Sequence, residues 1–465
     1  MIMNVFNTMS RQLEVFEPAE KGTARMYTCG PTVYNYAHIG NFRAYLFEDL
    51  LRRYLKFSGL KVIQVMNLTD VDDKTIRSSQ EKGLPLRQYT QTYKDAFFGD
   101  LKTLNVEPAE YYPAATDHVA EMIAIIQTLL DKGVAYQSDD RSIYFSIQKF
   151  SGYGKLAHLD MQGLRAGARV AQDEYEKESA ADFALWKAWD EKDGDVAWDS
   201  PWGRGRPGWH IECSAMSMKY LGESFDLHTG GVDNIFPHHE DEIAQSEAAT
   251  GKPFVKYWMH CAHLVVNGKK MSKSLGNFFT LRDVLDKGYT GREIRYELMA
   301  THYRQSLNFT FEALDAARAG LQRIDEFFDR VQTLKGQAAD AAIPEWAVVG
   351  KRKFTDSLDN DLNISEALAA LFDMIHTGNI ALNNGAVKPE EAAALLDLRD
   401  ELDKVLGFLK PAESAMDPEI VKLGEQRQEA RKNRNWAEAD RVRKELSDRG
   451  WMIQDTPQGP KFKKL

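Results

Sequence analysis

The 465-residue sequence is poor in cysteine and has no long hydrophobic run. Its three cysteines, Cys29, Cys213 and Cys261, are odd in number and far apart, which argues against a disulfide framework and for metal ligands or reactive thiols. No stretch approaches the ~18 consecutive apolar residues of a membrane span. Residues 1–10 also lack the basic start and apolar run of a secretory signal. We therefore expect a chain without a membrane partner that stays in the reducing cytoplasm.

Positive charge is also in deficit. The chain has 59 Lys and Arg against 69 Asp and Glu, which gives a net charge of −10 and a pI near 5.7. Any nucleic-acid site must therefore be a local basic patch. Hydrophobic residues make up 43% and charged residues 28%, as in globular proteins. The length exceeds that of one compact core and favours about two to four domains.

A strand, a helix and a second strand are predicted in succession near the start of the chain. Residues Arg25–Cys29 alternate between apolar and polar, apolar residues recur at helical spacing from His38 to about Phe57, and Val62–Thr69 is a buried strand pattern. A βαβ unit implies a parallel, doubly wound sheet. The predicted fold class is therefore α/β, with a Rossmann-type catalytic domain.

Later segments predict how this domain continues. Strands resume at Phe225–His228 and Tyr257–Val266, and Asn267-Gly268 is a two-residue hairpin signal. Between the two halves lies an apparent insertion with a helix at Thr116–Lys132 and a hairpin around Asp139-Asp140. Beyond a capping box at Thr290 the pattern is that of a helical bundle. The predicted helices there are Phe311–Leu334, Ile364–His376, Pro389–Leu409, Pro418–Arg431 and Trp436–Ser447. We expect a first Rossmann half at 1–107, an insertion at 108–207, a second Rossmann half at 208–289, a helical bundle at 290–416 and a small tail at 417–465.

Two short motifs carry features of phosphate handling. His38-Ile39-Gly40-Asn41 opens the first helix, where unpaired N–H groups and the helix dipole favour an anion, and an imidazole can donate to a phosphate. Lys270-Met271-Ser272-Lys273-Ser274 follows the hairpin signal and forms a cationic loop able to clamp a triphosphate. Either motif alone is equally typical of a helix-capping loop or a solvated basic turn.

A third set of residues suggests a metal site. His238 and Glu242 are four apart in a stretch that can be helical, so they project from one face. Thiolates and imidazoles suit zinc, with a carboxylate as a harder ligand. From spacing alone, His239 competes with His238, and Cys29 and Cys213 are as readily buried core thiols. Cys261 has no partner in this scheme.

The last 49 residues carry a local excess of positive charge. They contain 12 Lys and Arg against 9 Asp and Glu, and two tryptophans lie among the basic residues. Phosphate attraction and base stacking are both available there, although a solvated helix explains the same charge pattern. The candidate RNA contacts are Arg427, Arg431, Arg434, Trp436 and Trp451.

Taken together and in this order, His38 to Asn41 and Lys270 to Ser274 resemble the two signatures of class I aminoacyl-tRNA synthetases. Cys29 to Tyr34, Thr69 to Lys74, Gly205 to Cys213 and Phe236 to Glu240 resemble the cysteinyl branch of that family. The likeness runs nearly end to end. One departure is Asn41, where the family signature ends in histidine, and this substitution leaves its individual role open.

The resemblance implies a set of site residues. The metal ligands would be Cys29, Cys213, His238 and Glu242, and Thr69, Trp209 and His228 would contact the amino acid. ATP would be bound by His38, Gly40, Gly230, Gly231, Asp233 and Lys273, with His38, Asn41, Lys270 and Lys273 catalytic. Asp455 to Gly459 resembles the anticodon-binding tail, although Pro460 and Phe462 depart from the usual residues.

The implied reaction joins L-cysteine and ATP to cysteinyl adenylate and transfers it to tRNA(Cys). One zinc ion per chain would hold the substrate thiol, since apolar packing separates cysteine from serine only by about 10–200-fold. Mg²⁺ would accompany ATP, and the chain is expected to be a monomer. Two alternatives are a ligase joining cysteine to a glucosamine-inositol compound, which needs no RNA-binding tail, and a non-catalytic zinc and RNA-binding protein.

Overall fold

The computed structural model of the protein describes residues 3–159, 182–334, 342–411, 418–456 and 459–464. The chain divides into two compact units, Met1–Lys410 and Pro411–Leu465, which are described separately. The strands are β1 Asn4–Asn7, β2 Gln12–Val15, β3 Thr23–Thr28, β4 Lys61–Met66, β5 Ala135–Gln137, β6 Ile143–Phe145, β7 Phe183–Ala188, β8 Gly205–Pro207, β9 Phe225–Gly231, β10 Val255–Cys261, β11 Leu264–Val266, β12 Lys269–Lys270, β13 Leu307–Phe309, β14 Trp451–Thr456 and β15 Gly459–Lys464.

The helices fill the rest of the fold and dominate its second half. They are α1 Ile39–Phe57, α2 Asp73–Glu81, α3 Leu86–Thr103, α4 Val119–Asp131, α5 Trp209–Leu221, α6 Glu240–Thr250, α7 Leu281–Leu285, α8 Gly291–Met299, α9 Phe311–Leu334, α10 Glu345–Asp359, α11 Ile364–Asn383, α12 Pro389–Leu406, α13 Pro418–Lys432 and α14 Trp436–Asp448. Short 3₁₀ and wide turns connect several of them.

A four-stranded parallel sheet in the order β10-β9-β3-β4 forms the centre of the first unit. The predicted βαβ unit is confirmed as β3, α1 and β4. The chain moves outward from β3 to β4 on one side and from β9 to β10 on the other. The topological switch point therefore lies between β3 and β9, and ligands bind at the carboxyl ends of such strands. Cys29 follows β3 there, and Gly230 and Gly231 end β9.

Helix α1 is held in place by apolar packing and by a buried ionic group that joins it to α8. Phe42, Leu46 and Leu50 are buried in the larger hydrophobic core. Asp49 on the same helix contacts Arg53 at 2.7 Å and Arg295 at 2.5 Å. Burial alone would raise the pKa of Asp49, but the two arginines bring this pKa below its usual value. The charges are paired because an isolated buried charge would be strongly destabilising.

The hairpin at the lysine motif is confirmed, with one correction to the strands around it. Asn267 and Gly268 have φ angles of 50° and 71°, as a type I′ turn requires, and they join β11 to β12. The single strand predicted at Tyr257–Val266 is two strands. Strand β10 belongs to the parallel sheet and ends at Cys261. Strand β11 belongs to a second sheet, together with β12 and β13. Three-residue β13 is too short to show alternation in the sequence.

The predicted insertion contains another sheet, and the C-terminal region is mainly helical. Strands β5 to β8 form an antiparallel sheet that contains the predicted hairpin. Helix α9 matches its predicted bounds, whereas α10 was not predicted. In the second unit, α13 and α14 pack on each other around Ile420, Leu423, Val442 and Leu446, with the hairpin β14–β15 following. In the described part of the chain no helix has the length and apolar character that crossing a membrane requires.

Candidate active site

The four predicted metal ligands come together in the structure. The Sγ atoms of Cys29 and Cys213, a ring nitrogen of His238 and a carboxylate oxygen of Glu242 all lie within 4.8 Å of one another. Cys29 follows β3, Cys213 lies on the buried face of α5, and Glu242 lies in the first turn of α6. Together with His238, which lies in the turn before α6, these donors come from four separate segments beside the switch point of the sheet. We call these four residues the metal-ligand cluster.

His238 reaches this cluster by a route that the sequence did not predict. Helix α6 begins at Glu240, and His238 lies in the wide turn Ile235–His239 that precedes it. The predicted pair still forms, since His238 Nε2 lies 3.1 Å from Glu242 Oε1. The four-residue spacing was informative although the helix starts two residues later.

The electrostatics of the cluster fit a divalent cation. A hydrogen bond with Cys29 and burial both raise the pKa of Cys213 well above its usual value. Burial alone would raise the pKa of Glu242, but His228 and His238 lower it to about 2. Burial alone would lower the pKa of His238, but Cys213 and Glu242 raise it to about 10. The negative charge of the converging donors therefore favours bound protons. A metal ion can take the place of such protons, and soft donors of this kind suit one.

The surroundings of the two Glu242 oxygens support the same interpretation. Glu242 Oε2 is bonded to His228 Nε2 at 2.9 Å, whereas the buried Oε1 lies 3.1 Å from His238 Nε2 without hydrogen-bond geometry. A buried carboxylate oxygen without a hydrogen bond is costly. A cation bound by Glu242 Oε1 would remove that cost.

A second group of four donors overlaps the first. Cys29 and Glu242 also lie within 4.8 Å of ring nitrogens of His228 and His239. The sequence left His239 open as a competitor of His238, and proximity alone does not separate the two histidines. His239 Nε2 is 3.2 Å from Cys29 Sγ, and its Nδ1 is 2.8 Å from His260 Nε2.

The residues predicted to contact cysteine lie around the metal-ligand cluster. The Trp209 ring stacks on His238 with centroids 4.3 Å apart, and its side chain remains 38% exposed. Thr69 donates its hydroxyl to Glu212 Oε2 at 3.1 Å. His228 is fully buried, stacks on Trp258 and is hydrogen-bonded to Glu242. The structure therefore shows it in contact with a candidate metal ligand.

Some functional candidates carried no signal in the sequence. Glu212 is fully buried next to Thr69, burial raises its pKa well above the usual value, and Asp72 adds to the shift. His210 and His260 contact His238 and His239 respectively. These contacts join residues that are distant in sequence, so no spacing rule could have found them.

His38 and Asn41 both cap the first turn of α1. The Asn41 backbone N–H donates to His38 Nδ1 at 3.2 Å, and the His38 backbone N–H donates to Asn41 Oδ1 at 3.1 Å. Because Nδ1 accepts, the ring proton of a neutral His38 lies on Nε2. Burial lowers the pKa of His38, which favours this neutral form. The open role of Asn41 thus has a structural answer: it closes a reciprocal capping box.

The two signature motifs lie against each other. The Ile39 N–H donates to Phe279 O at 3.0 Å, and a Cβ added to Gly40 would lie 3.3 Å from Met271 Cε. The Phe278 ring contacts His38 edge-on at 5.2 Å and lies 5.3 Å from Lys273 Nζ. Lys270 and Lys273 are exposed. The structure therefore brings a neutral imidazole, a helix N-terminus and the long cationic side chains of two lysines to one edge of the sheet.

The glycine turn after β9 lies at the same edge. A Cβ on Gly230 would lie 2.9 Å from His239 Cε1, and one on Gly231 would lie 2.3 Å from Asp233 Oδ1. Asp233 is exposed. Its charge partly opposes the lowering of the His38 pKa that burial causes. A Cβ on Gly230 would therefore meet a buried ring, whereas the exposed Asp233 side chain could move away from a Cβ on Gly231.

The predicted tRNA contacts of the second unit are only partly at its surface. Trp436 is 58% exposed and Arg434 is exposed, as expected. Arg427 is only 5% exposed, because its position on α13 faces the interior of the unit, which corrects the expectation of a surface cation. Trp451 is half-buried and packs against the core of this unit, and Arg431 is partly buried.

Comparison with known proteins agrees with this geometry. Residues 15–319 match the family of tRNA synthetases class I (C) catalytic domain, residues 353–410 the DALR domain, and residues 414–460 the cysteinyl-tRNA ligase anticodon binding domain. A protein of Protochlamydia amoebophila named cysteine–tRNA ligase is 51% identical over 99% of this chain and 98% of its own length. The chain belongs to the cysteinyl-tRNA ligase family.

Other members of the cysteinyl-tRNA ligase family match equally completely. Those of Chlamydia pneumoniae and Brachyspira hyodysenteriae are each 50% identical, with 99% of this chain and 98% of the relative covered. Among solved structures, Mycobacterium tuberculosis methionyl-tRNA synthetase in complex with methionyl-adenylate has a TM-score of 0.58 at 14% identity, covering 83% of this chain and 88% of that chain. Agrobacterium radiobacter K84 agnB2 LeuRS, in a ternary complex, has a TM-score of 0.60 at 12% identity, covering 85% of each chain. These structures share the class I synthetase fold, and the family binds ATP, an amino acid and tRNA.

Proposed function

We propose that this chain is a cysteine–tRNA ligase that activates L-cysteine with ATP and transfers it to tRNA(Cys). The observation that carries the proposal is the metal-ligand cluster, whose two thiols, imidazole and carboxylate converge within 4.8 Å in a chain that also carries the two nucleotide signatures. Among the described residues no other set of converging donors includes two thiols. The identity to family members over the whole chain supports the same function.

Cys29, Cys213, His238 and Glu242 would hold one zinc ion. When bound, zinc supplies a soft Lewis acid that takes the substrate as a thiolate and accepts a serine hydroxyl far less well. His228 fixes Glu242 through Oε2, so that Oε1 stays directed at the cluster. The partly exposed Trp209 covers His238 and is placed to close over a small substrate.

His38, Lys270 and Lys273 would act on the phosphates. The neutral His38 can donate from Nε2 to the α-phosphate as negative charge develops there, while its Nδ1 remains in the capping box. Lys273 lies over Phe278 and is free to swing to the departing pyrophosphate with Lys270. Gly230, Gly231 and Asp233 would accept the adenosine, and Mg²⁺ would neutralise charge on ATP.

Residues 417–465 would bind the anticodon. Trp436 and Arg434 are exposed, so they can stack on an unpaired base and attract phosphate. Arg427 is omitted from this proposal because it is buried. The monomeric state and the cytoplasmic location stay predictions from the sequence.

Pyrophosphate exchange across a panel of amino acids tests the function. We expect ATP-dependent exchange with cysteine and none above background with serine, alanine or valine. Exchange with none of them would overturn the synthetase proposal, and exchange led by another amino acid would overturn the substrate.

Charging of tRNA separates the remaining alternative. A cysteine ligase for a glucosamine-inositol compound would show exchange with cysteine but would not charge tRNA(Cys). The match of residues 414–460 to an anticodon-binding domain favours the tRNA ligase. A non-catalytic zinc and RNA-binding protein would show neither activity.

A further inference from the structure

Two pairs of histidines lie behind the metal-ligand cluster, and one ends on a carboxylate, which only accepts, whereas the other ends on a hydroxyl, which can donate or accept. In the first pair, His238 Nδ1 is 2.8 Å from His210 Nδ1, and His210 Nε2 is 3.3 Å from Asp241 Oδ2. An ionised carboxylate only accepts, so the His210 N–H points to Asp241. His210 Nδ1 is then an acceptor for the His238 N–H. This order leaves the lone pair of His238 Nε2 directed at the cluster.

The second pair ends on a hydroxyl instead of a carboxylate. His239 Nδ1 is 2.8 Å from His260 Nε2, and His260 Nδ1 is 2.7 Å from Thr8 Oγ1. His260 is the hydrogen-bond partner that the structure gives the Thr8 hydroxyl. His239 Nε2 faces two groups that accept when ionised, Cys29 Sγ at 3.2 Å and Glu242 Oε1 at 4.0 Å, which favours an N–H on this nitrogen. In the neutral ring Nδ1 then accepts from His260 Nε2, and the Thr8 hydroxyl donates to His260 Nδ1.

We propose that His239 donates an N–H to the Cys29 sulfur and is a positioning residue, not a metal ligand. The inference deepens the proposed function, on whose metal site it rests. It distinguishes between the two overlapping groups of donors, because His238 presents a lone pair to the cluster and His239 presents a proton. Thr8, 21 residues before Cys29, thereby takes part in the site through His260.

The N–H to sulfur contact has a definite chemical consequence. A hydrogen bond withdraws charge from a thiolate and weakens its donation to a bound metal. The metal then keeps more Lewis acidity for an incoming substrate thiol. Two thiolates and a carboxylate already give the cluster three negative charges before a substrate thiolate arrives. A neutral donor beside Cys29 relieves this excess without occupying a coordination position.

Cobalt substitution in the full-length protein tests the inference. Co²⁺ reports thiolate ligation through a sulfur-to-metal charge-transfer band, whose energy is higher when the sulfur accepts a hydrogen bond. We expect His239→Leu to bind one Co²⁺ per chain with its charge-transfer band shifted to longer wavelength. The exposed His263 supplies the matched control, and His263→Leu should leave the band unchanged.

Each other result contradicts the inference. Failure of His239→Leu to bind Co²⁺ at saturating concentration, while it remains folded by circular dichroism, would make His239 a ligand. One bound Co²⁺ with an unshifted band would mean that no hydrogen bond reaches the sulfur. If the wild-type protein bound no Co²⁺, the metal site itself would be absent. Measurement of pyrophosphate exchange then shows whether the proposed function fails as well.

Thr8 offers a gentler second test far from the metal. Thr8→Val removes the hydroxyl at nearly constant volume, whereas Thr8→Ser keeps it. We expect Thr8→Val to shift the cobalt band in the same direction as His239→Leu, by a smaller amount, and Thr8→Ser to leave it in place. Identical spectra for Thr8→Val and Thr8→Ser would contradict the proposed direction of the relay.

Discussion

The metal-ligand cluster and the lysine loop lie in the same unit but are built in opposite ways. The cluster draws four donors from four separate segments, and His238, Glu242 and Cys213 are buried. Lys270 and Lys273 are exposed and come from one hairpin and the turn after it. Discrimination between two small amino acids needs fixed, dry donors, whereas phosphates must enter and leave. Substitutions in the cluster should therefore change which substrate is used, and those in the loop should change how fast it reacts.

The largest effect is expected from the cluster. Cys213→Ser removes a soft ligand, so we expect loss of tightly bound zinc and cysteine-dependent exchange at background. Zinc analysis and pyrophosphate exchange measure both. Cys261→Ser is the matched control, because Cys261 is also buried but has no place in the cluster. Full zinc and unchanged preference over serine in Cys213→Ser would contradict the ligand assignment.

The loop should respond in rate alone. Lys273→Ala should slow adenylate formation by about 100–1,000-fold, since its charge acts where negative charge accumulates on the departing phosphates. Zinc content and the affinity for cysteine should stay at wild-type values. Lys269→Ala changes a neighbouring exposed lysine and should have little effect. A single-turnover rate that did not change in Lys273→Ala would remove this role.

The tail should separate the two half-reactions. Removal of residues 417–465 should leave cysteine-dependent exchange largely intact, because the nucleotide signatures and the cluster all precede Asn277. Charging of tRNA(Cys) should fall by about 10–300-fold, as expected for the loss of one or two stacked bases and their phosphate contacts. The comparison is made after circular dichroism shows that the shortened chain is folded. Equal charging by both proteins would refute the tail's assignment.

Asn41 should give the smallest effect. Asn41→Ala removes the acceptor for the His38 N–H and should cost about 1 kcal/mol of stability in urea unfolding. Asn41→Asp keeps an acceptor and should retain stability, while its charge near the phosphate site should slow adenylation. Equal stability of the two variants would mean that the capping box contributes nothing measurable.

The sequence predicted the local features of the fold well. The strand–helix–strand unit, the Asn267-Gly268 turn and the helix Phe311–Leu334 all follow from short-range patterns, and all are confirmed. The start of α6 was misplaced because the wide turn Ile235–His239 has no periodic signal. Short strand β13 and the C-terminal hairpin were also missed, since pairing partners rather than local alternation define them.

The site was predictable only in part, for the same physical reason. His238 and Glu242 share a local spacing, whereas Cys29 and Cys213 were selected by family resemblance. The contacts of His239 with His260 and of His260 with Thr8 join positions up to 252 residues apart. Arg427 was predicted as a surface cation because charge was taken to mean exposure, yet it is buried.

X-ray absorption at the zinc edge tests the central claim most directly, because it counts the sulfur atoms bound to the metal. In the zinc-loaded protein we expect two sulfur ligands, from Cys29 and Cys213. Addition of cysteine should raise the count to three, and addition of serine should leave it at two. A count that stays at two with saturating cysteine would contradict selection of the substrate through its thiol.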